Sequence, residues 1–193
     1  MDWLAAWDWD RALEIFQSVL GLTNVVLSSC IVIFSCALLI HIFIYNPRNR
    51  VASSFAILLS CVSVTYFVDL ALVGVESEEV ATVWLRIQWL GIAFAPAAYL
   101  NFSDALLETT GAHSRFRSVA VWVGYFLSGL VLLGVAFTDL IVQGAQAAYN
   151  VSHLLPGPLF PVFVVWFISA VGWGAINVLW ARRRCLTPTS SAK

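Results

Sequence analysis

The chain has 193 residues, of which 61% are hydrophobic and only 11% charged, with a formal net charge of −1. Soluble domains carry about a quarter charged residues, so composition excludes a soluble globular domain, and a balanced charge gives no argument for a nucleic-acid partner. The chain reads as an all-α integral membrane protein, a bundle of five transmembrane helices with a short N-terminal interfacial helix.

Residues 1–20 set tryptophans against acids. Asp2, Asp8, Asp10 and Glu14 stand against Arg11 alone, the opposite of the basic start of a signal peptide. Trp9, Leu13, Phe16 and Leu20 fall on one helical face and Asp10, Glu14 and Gln17 on another. With Trp3 and Trp7 at headgroup depth, this predicts an amphipathic interfacial segment over 1–20, the other reading being a frayed terminus with interfacial tryptophans. A bundle over 21–184 and a short cytoplasmic tail over 185–193 complete the expected organisation.

Five apolar runs follow, over about 22–45, 51–75, 80–107, 118–140 and 160–180. Each is near the ~20 residues a helix needs to cross a bilayer core. The connection 141–159 holds Asn150, Pro156, Gly157 and Pro158 and reads as a loop with a rigid end. Arg48 and Arg50, Arg115 and Arg117, and Arg182 to Arg184 all fall at one end of the runs, whereas Glu76, Glu78, Glu79 and Asp139 fall at the other. The positive-inside bias then puts the protein in the cell membrane with its N-terminus outside and its C-terminus in the cytoplasm.

The run from Arg86 to Leu107 is expected at the centre of the bundle. Its small residues let neighbouring helices approach closely, and small-xxx-small pairs recur at Gly91/Ala95, Gly124/Ser128 and Ala170/Gly174. Trp84, Trp122 and Trp180 mark run ends, as interfacial tryptophans do.

Charges inside the runs are the candidate functional positions. Asp69 and Arg86 lie at similar depth on consecutive antiparallel runs, and an ion pair between them would offset the cost of each in lipid. Asp104, beside Asn101 and Ser103, is expected against a polar neighbour near the arginine-rich end. Pro96 removes a backbone donor mid-run and can kink or hinge the helix. Tyr99, Asn101, Gln88 and Asn177 are candidates to line a cavity, interhelical packing being the plainer alternative.

Other chemistries are poorly served. His41 is the one histidine inside a run, so a bis-histidine haem has no second ligand. Lys193 is the only lysine, which removes a retinal Schiff base. The four cysteines read as buried thiols rather than a disulfide framework. No catalytic, cofactor or metal site is expected.

Three stretches carry a resemblance: NPRNRVASSFAILLSCVSVTYFVDLAL, VWLRIQWLGIAFAPAAYLNFSDALLETTG and GPLFPVFVVWFISAVGWGAINVLWARRR. They resemble the seven-transmembrane N-terminal region of bacterial sensor histidine kinases and related signalling proteins. The resemblance implies an input module that senses something outside or within the membrane and relays it to cytoplasmic kinase, PAS, GAF or cyclase domains. Five runs are expected here where that family has seven, without an output domain in these 193 residues. The expectation is therefore a receptor-like sensor acting with a cytoplasmic output partner. The alternative is a non-catalytic accessory or structural subunit of a larger membrane complex, with lipid and a protein partner or second copy on its transmembrane faces.

Overall fold

The structure is a computed structural model and describes residues 9–75, 77–148 and 151–186. Its elements run α1 (Trp9–Tyr45), α2 (Arg50–Ala71), α3 (Glu78–Glu108), α4 (Arg115–Phe137), β1 (Val142–Ala148), β2 (Val151–Pro156) and α5 (Phe160–Leu186). Among the described residues, five helices are long and apolar enough to cross a membrane. The chain is thus an all-α membrane bundle.

The helix ends follow local chemistry. Tyr45 is followed by Asn46-Pro47, and the Asn49 side chain caps α2 by accepting the N–H groups of Val51 and Ala52 at 2.9 and 3.3 Å. After α3 the chain turns at Gly111, whose φ of +79° suits a residue without a Cβ, and whose N–H reaches the Glu108 carbonyl at 2.9 Å.

The helix α3 is the hub. It packs against α2, α4, α5 and both strands, whereas α1 packs chiefly on α2. Its small residues explain how it holds so many neighbours. Gly91 lies so close to α2 that a Cβ there would overlap the Cys61 carbonyl oxygen and the Thr65 hydroxyl. On another face, Gly174 of α5 lies under the Tyr99 ring, where a Cβ would meet Cε1 at 2.5 Å. Gly124 of α4 faces Ala97 and the Trp166 indole with ordinary spacing, 3.4 Å from the nearest atom. The three glycines therefore mark three contacts of α3, with α2 at Gly91, with α4 at Gly124 and with α5 at Gly174.

Three expectations change. The segment 9–20 is not a separate helix: α1 runs without a break through it for 37 residues. That is about 55 Å at 1.5 Å per residue, longer than a hydrocarbon core of ~30 Å, so the helix is long enough to extend past the core. Residues 1–8, with Trp3 and Trp7, lie outside the described residues. The connection after α4 is an antiparallel hairpin rather than a loop, with an irregularity in register between Gln143 and Ala145. Its base is tied by Gly157 N–H to the Ile141 carbonyl and Leu159 N–H to the Leu140 carbonyl, both 2.8 Å. Finally, of the three cysteines whose side chains are described, Cys30 and Cys36 are exposed and Cys61 is buried, because α1 is peripheral and turns its thiols away from the bundle; Cys185 lies outside the described side chains.

The hairpin plugs one end of the molecule. Ile141 and Val142 join Trp89, Ala93, Val135 and Phe163 in one apolar cluster, with Leu154 and Phe160 packed against it. Trp89 and Phe163 have ring centroids 5.0 Å apart. This closes the end opposite the arginines between α3, α4 and α5.

Candidate functional site

At the arginine-rich end, α2 and α4 begin beside the last turns of α3. Asp104 is buried at 5% exposure, and a buried carboxylate is costly unless charges or donors face it. Two arginines do so from two other helices. Arg117 Nε of α4 donates to Asp104 Oδ1 at 2.8 Å, and Arg50 Nη2 of α2 donates to Oδ2 at 3.2 Å. Arg117 also donates to the Ala112 carbonyl, and Arg50 also pairs with Glu108, which in turn meets His113 Nδ1 at 3.0 Å. The two arginines are unlike: the Arg117 side chain is 14% exposed, that of Arg50 50%.

Next to this cluster is a cavity of about 400 Å³ between α2, α3 and α4, within the size range of small-molecule sites. Arg50, Asp104 and Ser118 lie along it with Asn101 and Tyr125, and Ile57, Val121 and Trp122 supply its apolar wall. Asn101 Nδ2 donates to the Tyr125 hydroxyl at 3.2 Å, which leaves the amide oxygen and the phenolic proton for another partner.

The sequence-derived candidates divide. Asn101 and Asp104 line the cavity. Tyr99 does not, because two residues turn it about 200° from Asn101 around α3, onto Gly174. Asn177 faces α5–α3 packing, donating to the Ser103 hydroxyl at 3.3 Å. Pro96 is buried within α3, where its ring deprives the Ile92 carbonyl of a helical donor.

The Asp69–Arg86 pair is not formed. Arg86 Nη2 donates to Asp139 at 2.8 Å and Nη1 to the Ala136 carbonyl at 3.2 Å, both at the end of α4. Asp69 instead accepts from Gln88 Nε2 at 2.6 Å, and Gln88 also reaches the Thr65 carbonyl. The cause is helix rotation: Arg86 and Gln88 face nearly opposite directions, so the depth match was right and the azimuth wrong. Sequence reasoning treated Arg50, Arg117 and Asp139 only as topology markers. The signal that would have found them is an intramembrane charge at the same depth as a flanking charge on an adjacent run.

Spans carry many hydroxyls, and several satisfy themselves. Ser29, Ser60 and Ser169 each donate to the carbonyl four residues earlier. Among the described residues, no group of three or more His, Cys, Asp or Glu side chains is placed to hold a metal ion.

The family model described as the N-terminal 7TM region of histidine kinase matches residues 25–189, a stretch that takes in all of α2 to α5 and most of α1. No curated protein and no solved structure is matched. A match over most of the sequence, on a bundle of membrane-spanning helices, places the chain in the family of N-terminal 7TM regions of histidine kinases.

Proposed function

We propose that this chain is a receptor-like membrane input module that relays a signal to a cytoplasmic output partner and carries no catalysis of its own. The observation behind this reading is the cavity at Asn101, lying directly against the Arg50–Asp104–Arg117 ties between three helices. An occupant there touches the groups that hold the starts of α2 and α4 to α3. It acts as a signal if it binds two packings of these helices with different affinity. Pro96 is the hinge in this reading and Arg182 to Arg184 mark the exit of α5 into the cytoplasm, the N-terminus lying outside.

The experiment is to recover the protein from native membranes under gentle detergent and compare its denatured and native sizes. A denatured band far above 21.3 kDa, or a 21.3 kDa band co-purifying with a kinase or cyclase, is the expected result. Asn101→Leu, which fills the cavity, then removes the stimulus-dependent change in output activity. A 21.3 kDa chain in a defined assembly without any signalling protein overturns the sensor reading in favour of a structural subunit.

A further inference from the structure

The cavity is open on one side, and what borders that side identifies its occupant. Trp122 belongs to its apolar wall and is 75% exposed on the outer surface of α4, so the opening faces the bilayer. Arg115, Ser118, Trp122 and Tyr125 fall within about 80° of one another around α4. Arg115 therefore stands one turn from Ser118 on the slot's own face of the helix, toward the arginine-rich end. It is exposed and has no carboxylate partner among the described residues. Arg50, although it meets two carboxylates, remains half exposed at the same end.

The charges do not cancel. Asp104 and Glu108 are matched by Arg117 and Arg50, and Arg115 is left over. Surplus positive charge thus stands at the headgroup level. Hydrogen-bonding groups on Ser118 and Asn101 come next, then the apolar wall of Ile57 and Trp122 about 10 Å along α2 and α4 from Arg50 and Arg115, with Tyr125 deeper still on α4. An anionic head, a polar ester region and a long tail, in that order, are the parts of a phospholipid. We propose that the slot holds one anionic phospholipid from the leaflet at the arginine-rich end. Its phosphate lies at Arg115 and the exposed part of Arg50, and one acyl chain lies along Ile57 and Trp122.

This deepens the sensor reading by naming the ligand class, and rests on that reading only for the consequence of binding. The phosphate competes with Asp104 and Glu108 for Arg50, while the better-buried Arg117 keeps its hold on Asp104. Binding thus loosens α2 from α3 and leaves α4 in place. The hairpin plug excludes the other route: a solute on the far side meets the Trp89–Val135–Phe163 cluster, not the slot.

The test uses the full chain in nanodiscs of phosphatidylcholine with a small fraction of either brominated phosphatidylglycerol or brominated phosphatidylcholine. Trp122→Phe, at an exposed position, isolates the contribution of this indole to the quenching. The expected result is stronger quenching of Trp122 by the brominated anionic lipid than by the zwitterionic one. Arg115→Gln lowers that preference about fivefold, the contribution of one basic residue near an anionic surface. Equal quenching by both lipids, or a preference untouched by Arg115→Gln, overturns the proposal. Spin labels at exposed positions 48 and 119, in a cysteine-free background, separate the two readings. Quenching of Trp122 without a distance change supports the lipid and removes this route for signalling. A distance change driven by another stimulus, without preferential quenching, overturns the lipid and leaves the sensor.

Discussion

Asp104 is the residue on which the arginine-rich end depends. Asp104→Asn keeps the shape but leaves Arg117, well buried, facing no charge. Breaking a buried pair in this way costs about 3 kcal/mol, and thermal unfolding in detergent should show a clear loss of stability. Arg50→Gln should cost less than about 1 kcal/mol, since half of that side chain already faces solvent. The reverse ranking would mean that Arg50, not Arg117, is the principal partner. At the other end, charge reversal discriminates between partners. Arg86→Asp impairs folding, and adding Asp139→Arg restores it, whereas adding Asp69→Arg does not; yield of folded protein by size-exclusion chromatography is the readout. Charge and depth at these positions were legible in the sequence. Which charge each one met was not, because a helix in a bundle has one azimuth that only its neighbours set.

At the scale of the elements, the packing of α3 makes a contrast testable by three conservative changes. Gly91→Ala puts a methyl group into the backbone carbonyl of Cys61, which cannot move without disturbing α2. Overpacking of this kind costs about 1–3 kcal/mol. Gly174→Ala meets the Tyr99 ring, a side chain with some freedom, and should cost less. Gly124→Ala makes only ordinary contacts and should be nearly neutral. Denaturant titrations of the three variants should give that order, and equal effects would show that α3 does not approach α2 as closely as described. The small-xxx-small pattern gave these faces away in the sequence, since close approach needs small residues at a spacing of four. The hairpin gave no such sign. Its first strand, VQGAQAA, lacks the alternation of apolar and polar residues that announces a half-buried strand, although Val142 at its start enters the apolar cluster.

At the scale of the molecule, apolar length alone announced five spans, because each must satisfy its own backbone in lipid and only a helix of that length does so. The continuity of α1 through 9–20 was not legible, because amphipathic periodicity fixes a face, not where a helix pauses. The arrangement of basic residues predicts the topology: a reporter active only in the cytoplasm should work when fused after α5 and fail when inserted in the hairpin between β1 and β2. Activity at the hairpin would invert the molecule and with it the leaflet that the cavity faces. The two ends of the bundle also differ in construction. One is filled by aromatic and branched side chains around the hairpin; the other is held by charges with space between the helices.

That difference makes α3 and α4 a lever. Arg86 pins them at the plugged end, and Asp104 lies 18 residues further along α3, an arm of about 27 Å. A relative tilt of about 2° about the pin would carry the far end through about 1 Å, which a fixed side chain at the 2.8 Å contact between Arg117 and Asp104 could not absorb within hydrogen-bonding reach. A rotation far too small to unpack the aromatic end would thus be felt at the other as a lengthened contact between Arg117 and Asp104.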